Sequence, residues 1–147
     1  MSDHDERWVL DHLIALCRDE EQTLRFAASH VSDEKVRALL GELADQRAQA
    51  ANDLVPHAHR LGGGTADVSE GTWHGAMHRR WMAMKDSLLG HSQQSMLSEA
   101  ERGEQNTVRS FEEALGGMLP PTVRDLVEAQ YIQAQAGRDR VRALIAT

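Results

Sequence analysis

The chain has 147 residues, enough for one domain with a continuous core, and its composition is that of a soluble globular protein. The net charge of -7 comes from interleaved acids and bases, which gives no basic face for nucleic acid or anionic lipid. The longest apolar runs are too short to cross a bilayer, and the acidic residues 1–6 are unlike a signal peptide. We therefore predict one cytoplasmic domain, residues 1–147, without nucleic-acid or membrane partners.

Aromatic residues make up only 4% of the chain, so the core must be built from aliphatic side chains and methionine, which favours helices over sheets. The single cysteine, Cys17, excludes an internal disulfide. It stands among Leu13, Ile14 and Leu24 at helical spacing. We interpret it as a buried, inert thiol.

Apolar residues at steps of three and four predict two helices in the first half of the chain. The first covers residues 6–29, and its stripe is Leu10, Ile14, Cys17, Glu21, Leu24 and Ala28. The second follows a capping signal at residues 32–35 and ends before Gly62. Its stripe is Val36, Leu40, Leu43, Arg47, Ala50, Leu54, His57 and Leu61.

A glycine-rich loop over residues 62–71 precedes a short helix predicted at 72–89, with Met77, Trp81, Met84 and Leu88 in line. The next helix covers residues 92–115, before Gly116. The last begins at Pro120 and Pro121, because proline suits a first turn. Its stripe contains Val123, Val127, Gln130, Ala134, Gly137, Val141 and Leu144.

The lengths of the connections predict the topology. Short turns make an antiparallel hairpin of the first two long helices and another of the last two. Nearly thirty residues lie between the hairpins, enough to travel the length of a bundle. Two hairpins joined by one long crossover form a ferritin-like four-helix bundle. An up-down bundle of five helices is the alternative.

Polar residues interrupt the apolar stripes at corresponding heights, namely Glu21, Arg47, Glu101, Glu104 and Gln130. A buried carboxylate is costly unless it is paired, hydrogen-bonded or bound to metal. These positions therefore predict a polar centre inside the bundle, with Glu42, Glu128 and Tyr131 close to the same level.

Two interpretations of this centre remain open. Ferritin-like di-iron proteins use a Glu from each of two helices and Glu-x-x-His from each of the other two. In this chain Asp45 and Tyr131 occupy the histidine places after Glu42 and Glu128. The metal hypothesis takes as ligands Glu21, Glu42, Glu101, Glu104, Glu128 and Tyr131. The competing hypothesis is a set of ion pairs, Arg47 with Glu101 or Glu104 and Arg25 with Glu21.

His74 and His78, spaced four apart on the short helix, could form half of a metal site, with no third ligand assignable from sequence. The simpler interpretation is that both histidines lie on a solvent-exposed face of that helix. Gly62, Gly63 and Gly64 lack the strand and the lysine of a phosphate-binding loop. No nucleophilic side chain stands at a sequence spacing from a basic side chain that would indicate a catalytic pair.

Several segments resemble a bacterial, mostly proteobacterial, ferritin-like family of unknown function. They are CRDEEQTLRFAA from Cys17, HRLGG from His59, MHRRWMAMKDSLLG from Met77 and EAERGEQNTVRSFEEAL from Glu99, with LPPTVRDLVEAQY and RDRVRAL in the last helix. The resemblance implies a ferritin-like bundle with recurring glutamates at Glu101 and Glu104. It implies no established activity. In that family a His commonly precedes the Asp of the last helix, where this chain has Arg138.

Two functions follow as hypotheses. The first is a non-enzymatic bundle without cofactor, acting as a stress-associated or interaction protein and forming a homo-oligomer through the stripe on the short helix. The second is a metalloprotein that binds iron or manganese and oxidises Fe(II).

Overall fold

In a computed structural model of the chain, residues 3–62 and 92–146 are described, with the side chains of residues 6–62 and 92–146. These residues form four helices and no strand: α1 Asp3–Ser29, α2 Glu34–Leu61, α3 Gln93–Leu115 and α4 Pro121–Ala146. The predicted all-α bundle of four long helices is confirmed. The short helix predicted at 72–89, its apolar stripe and the histidine pair lie outside the described residues.

Local signals fix the helix ends close to where the sequence predicts them. The Oδ1 atom of Asp33 accepts hydrogen bonds from the backbone N–H groups of Lys35 and Val36, at 2.9 and 3.0 Å, and so caps α2. Ser92 caps α3 in the same way through the N–H group of Ser95. At the other end of α3, Gly116 donates to the carbonyl groups of the last turn.

The core is divided into two apolar clusters, one above the other. The lower half-core draws on the first half of α1, the second halves of α2 and α3 and the first half of α4, and contains Leu10, Leu13, Ile14, Cys17, Ala50, Ala51, Leu54, Ala58, Val108, Phe111, Ala114, Val123, Val127 and Ala134. The upper half-core contains Leu24, Phe26, Ala27, Val31, Val36, Leu39, Leu40, Leu43, Ala44, Met96, Leu97, Ala100 and Val141.

The membership of these clusters gives the direction of each helix. Helices α1 and α4 run from the lower to the upper half-core, and α2 and α3 run the opposite way. Helix α1 contacts α2 and α3, and α4 also contacts both α3 and α2. The last turn of α2 and the first turn of α3 therefore lie at opposite ends of the bundle.

A buried arginine joins the beginning of α1 to the end of α2. The Nη1 atom of Arg7 donates to the carbonyl oxygens of Ala58 and Gly62, and its Nε atom donates to Asp11 at 3.0 Å. Arg7 thus satisfies carbonyl groups that the end of a helix leaves without intrahelical partners. None of the helices described is both long and apolar enough to span a membrane.

Candidate functional site

A layer of three ionisable side chains and one glycine separates the two half-cores, and each helix contributes one of these residues. We call Glu20, Arg47, Glu104 and Gly137 the central layer. Each of them stands between a residue of the lower and a residue of the upper half-core on its own helix. The side chains of Arg47 and Glu104 are fully buried, and Glu20 is only 4% exposed. Three ionisable groups at such depth must compensate one another's charge, because an unpaired buried charge is costly.

Arg47 and Glu104 form an ion pair without a direct hydrogen bond. The Nε atom of Arg47 lies 3.9 Å from Oε2 of Glu104. The Nη2 atom donates to Oε1 of Gln46 at 3.3 Å, whereas Nε and Nη1 have no hydrogen-bond acceptor among the described residues. The attraction between the two groups is therefore mainly coulombic, in surroundings that screen it poorly.

The carboxyl groups of Glu20 and Glu104 lie close enough for one of them, when protonated, to donate a hydrogen bond to the other. Two carboxylates have no proton to share, so a hydrogen bond between these groups requires that one of them be protonated. Burial raises the pKa of Glu20 well above its usual range, and the negative charge of Glu104 raises it further. Burial also raises the pKa of Glu104, but Arg47 and the hydrogen bond from Glu20 oppose that shift.

Because Arg47 lies beside Glu104, these effects favour the arrangement with the proton on Glu20 and the negative charge on Glu104. The central layer then holds one cation, one anion and one neutral acid. Its net charge is zero, which is the arrangement that burial favours.

Two glycines make room for the buried carboxyl groups. A Cβ atom at Gly103 would lie 2.0 Å from Oε1 of Glu20, and one at Gly137 would lie 2.9 Å from Oε1 of Glu104. Glycine inside a helix costs about 0.5–1 kcal/mol relative to alanine. Helices α3 and α4 therefore each carry a glycine where a carboxyl group approaches the backbone.

Cys17 borders the layer on α1, one turn before Glu20. Its thiol is fully buried, and burial raises its pKa to about 12; the positive charge of Arg47 opposes this shift and the negative charge of Glu104 adds to it. A thiol in this state carries almost no thiolate at neutral pH. The prediction of a buried thiol is confirmed.

Of the six residues that the metal hypothesis names as ligands, Glu104 alone lies in the central layer. Glu21 pairs with Arg25 at 2.8 Å, Glu42 pairs with Arg140, and Glu101 lies 3.7 Å from Arg142. The hydroxyl group of Tyr131 donates to Glu112 at 2.9 Å, and Glu128 is exposed. Across residues 3–62 and 92–146, no three His, Cys, Asp or Glu side chains converge as metal ligands would.

The predicted inward orientation of Glu21 and Glu101 is wrong. Their side chains are 26% and 33% exposed, and the acid that α1 contributes to the central layer is Glu20, one position earlier than Glu21. A shift of one position turns a side chain by about 100° around a helix, which is enough to exchange an edge position for a central one.

The other inward polar residues are confirmed. Arg47 and Glu104 are buried together, as one branch of the ion-pair hypothesis predicts, and Arg25 pairs with Glu21 as predicted. Gln130 is also buried, and its amide donates to the backbone carbonyl of Ala50 at 3.2 Å. Sequence reasoning missed Glu20, although Glu20 follows Cys17 by three residues and precedes Leu24 by four.

The fold and its centre define a class of protein: a helical bundle whose middle is occupied by its own charged side chains. A family model described as a domain of unknown function (DUF2383) matches residues 6–117, more than half of the chain. The chain belongs to this family, which confirms the resemblance to a family without an assigned activity. A search of curated proteins found no match.

Proposed function

We propose that this chain is a non-enzymatic bundle of the ferritin-like type that acts by binding other proteins. The observation that carries the non-enzymatic part of the proposal is the fully buried guanidinium group of Arg47 at the bundle centre. Ferritin-like metalloproteins build their metal centre at this depth, from inward carboxylates and histidines on all four helices. In this chain α2 contributes a permanent cation at that place and α4 contributes a glycine.

The order of the helices supports the ferritin-like assignment. Helix α2 ends and α3 begins at opposite ends of the bundle, which is the relation that a single long crossover produces. Glu20 on α1 and Glu104 on α3 stand where two helices of that class each supply a glutamate.

The charge of Arg47 supports a centre without metal. A guanidinium group keeps its proton in proteins, so Arg47 would repel a second cation placed beside Glu104. The test is the iron and manganese content of protein purified from metal-rich medium. We expect far less than one equivalent, unchanged by Glu104→Ala; a full equivalent that Glu104→Ala removes would overturn the proposal.

A homo-oligomer is part of the same proposal. Large apolar side chains are exposed in the described part of the chain at Trp8, Met118 and Ile132, which are 53%, 70% and 59% accessible. Tryptophan and methionine are frequent in protein interfaces. Sedimentation velocity should detect an oligomer, and a strict monomer at all concentrations would count against it.

One observation favours a second candidate function, the binding of iron or manganese. Four buried oxygen atoms near the bundle centre receive no hydrogen bond from an N–H or hydroxyl group of the described residues. They are Oε2 of Glu20, both carboxylate oxygens of Glu104 and Oε1 of Gln130. Carboxylate oxygens are ligands that such metals accept. This candidate requires Glu20 in place of Glu21 and a displaced Arg47. Stoichiometric metal together with oxidation of Fe(II), both lost in Glu104→Ala, would establish it.

A further inference from the structure

Two positively charged groups of α4 meet on one neutral oxygen at the surface. The Oε1 atom of Gln105 accepts hydrogen bonds from Nη1 of Arg138 and Nη2 of Arg142, both at 3.2 Å. An amide oxygen carries no net charge, so it neutralises neither guanidinium group. The arrangement brings like charges together around an acceptor that is weaker than a carboxylate.

The neighbouring carboxylates compensate these charges in part. The Nε atom of Arg138 bonds to Asp139 at 3.1 Å, and Nη1 of Arg142 lies 4.0 Å from the same carboxylate. The Nε atom of Arg142 lies 3.7 Å from Oε2 of Glu101. Each of the two guanidinium groups therefore still directs one N–H donor at the Gln105 oxygen.

A groove of about 390 Å³ lies along α3 and includes Gln105 among its lining residues. Its walls are formed by Ser98, Glu101, Arg102, Gln105, Asn106, Arg109 and Ile145. Arg102 pairs with Glu99 at 2.9 Å, whereas Arg109 is exposed and forms no ion pair within the described part of the chain. We call this surface, together with Arg138 and Arg142, the arginine groove.

The sign of its charge sets the arginine groove apart. Its four arginines have three carboxylates as ion-pair partners, namely Glu99, Glu101 and Asp139, in a chain whose net charge is -7. A local excess of positive charge on an acidic protein attracts an anionic partner.

The spacing of the arginines suits an extended peptide. Arg102 and Arg109 are seven residues apart, which places them on one face of α3 at a rise of about 10.5 Å. Carboxylates three residues apart on an extended chain in polyproline II conformation lie on one face at a similar distance, about 9 Å. Between the two arginines, the amide groups of Gln105 and Asn106 can bond to a peptide backbone.

We propose that the arginine groove binds an acidic segment of a partner protein in extended conformation. One carboxylate of the segment takes the place of the Gln105 oxygen between Arg138 and Arg142, and others lie along Arg102 and Arg109. Charge-assisted hydrogen bonds to a carboxylate are stronger than those to an amide oxygen, which favours the exchange. This inference rests on the proposed function as an interaction protein.

The test is fluorescence anisotropy of a labelled oligoglutamate peptide with the full chain at low salt. We expect saturable binding that weakens about tenfold or more in Arg138→Gln/Arg142→Gln, because two charge-assisted hydrogen bonds are lost. The matched control, Arg18→Gln/Arg124→Gln, removes the same charge from exposed positions elsewhere and should weaken binding less than about twofold. Circular dichroism verifies that both variants are folded.

Three outcomes would overturn the proposal. Equal weakening in the two double variants would show attraction by net charge alone, and wild-type protein without saturable binding would show no site. Displacement of the peptide by inorganic phosphate, at an ionic strength where sodium chloride has no such effect, would assign the site to small anions. Metal content is measured independently, so a failed peptide assay leaves the evidence about the bundle centre intact.

Discussion

Arg47 neutralises the centre of the bundle, and its removal tests that role. We expect Arg47→Met to lower the free energy of unfolding by about 3–5 kcal/mol, because Glu104 loses the partner of a buried pair. Glu20→Leu/Arg47→Met/Glu104→Leu should recover much of the loss, since apolar replacement of a whole buried ionic group is often neutral. Denaturant titration with chelator present measures both variants.

The control for this comparison is Arg109→Met at the surface, which should stay within about 0.5 kcal/mol of wild type. A single Arg47 variant that unfolds like wild type would mean that the guanidinium group reaches water, and the interpretation of the central layer as a buried ion pair would fail.

Single residues also mark the limit of prediction from sequence. The stripe through Leu10, Ile14 and Cys17 continues equally well to Glu20, by a step of three, or to Glu21, by a step of four. Helix α1 packs against both α2 and α3, so its buried face is wider than one stripe and periodicity does not choose between them. The choice depends on Gly103, a residue distant in sequence whose missing side chain leaves space for Glu20.

Gly103 weakens helix α3 as a helix, but its missing side chain leaves the space that the Glu20 carboxyl group occupies. We expect Gly103→Ala to lower the free energy of unfolding by about 1–3 kcal/mol relative to Gly41→Ala, because the new methyl group displaces the buried carboxyl group of Glu20. Gly41→Ala is the matched control: no atom lies within 4 Å of its Cβ position, so it should stabilise by about 0.5–1 kcal/mol.

Thermal and denaturant unfolding of both variants decide this, together with Gly103→Ala in a Glu20→Ala background. There the added methyl group meets no carboxyl group and should stabilise like Gly41→Ala. If Gly103→Ala were as favourable as Gly41→Ala in the wild-type background, Glu20 would not be held where the structure places it.

The helices themselves were the predictable part of this fold, because their signals are local. The cap at Asp33, the cap at Ser92 and the stop at Gly116 each act within four residues of their own position. The hydrogen bonds of Arg7 to the end of α2 span more than fifty residues of sequence. No local pattern contains such a contact, and it depends on the completed bundle.

At the scale of the whole molecule, the buried acid pair makes stability depend on pH in an unusual direction. The pKa of Glu20 is raised on folding, so the folded chain binds more protons than the unfolded chain between the ordinary carboxyl range, about pH 4, and the raised value. The contribution of Glu20 is complete below that range and is lost as pH rises through the folded pKa. For this one group, the free energy of unfolding can fall by as much as about 1.4 kcal/mol per pH unit.

Glu20→Gln isolates this contribution, because the amide can donate to Glu104 at every pH. We expect the free energy of unfolding of the variant minus that of wild type to increase as pH rises. Surface pairs such as Arg25 with Glu21 are the same in both proteins and cancel in the difference. A difference that stays flat between about pH 4 and pH 8 would contradict a proton shared by Glu20 and Glu104.

The position of Cys17 gives the chain a built-in reporter. It is the single thiol of the sequence, it is fully buried, and it stands where the lower half-core meets the charged layer. A bulky maleimide can reach this sulfur only in molecules whose helices have separated, so the labelled fraction counts opening events directly. Labelling that becomes faster in Arg47→Met but remains slow in Arg109→Met would show that the charged layer holds the four helices closed, without any denaturant.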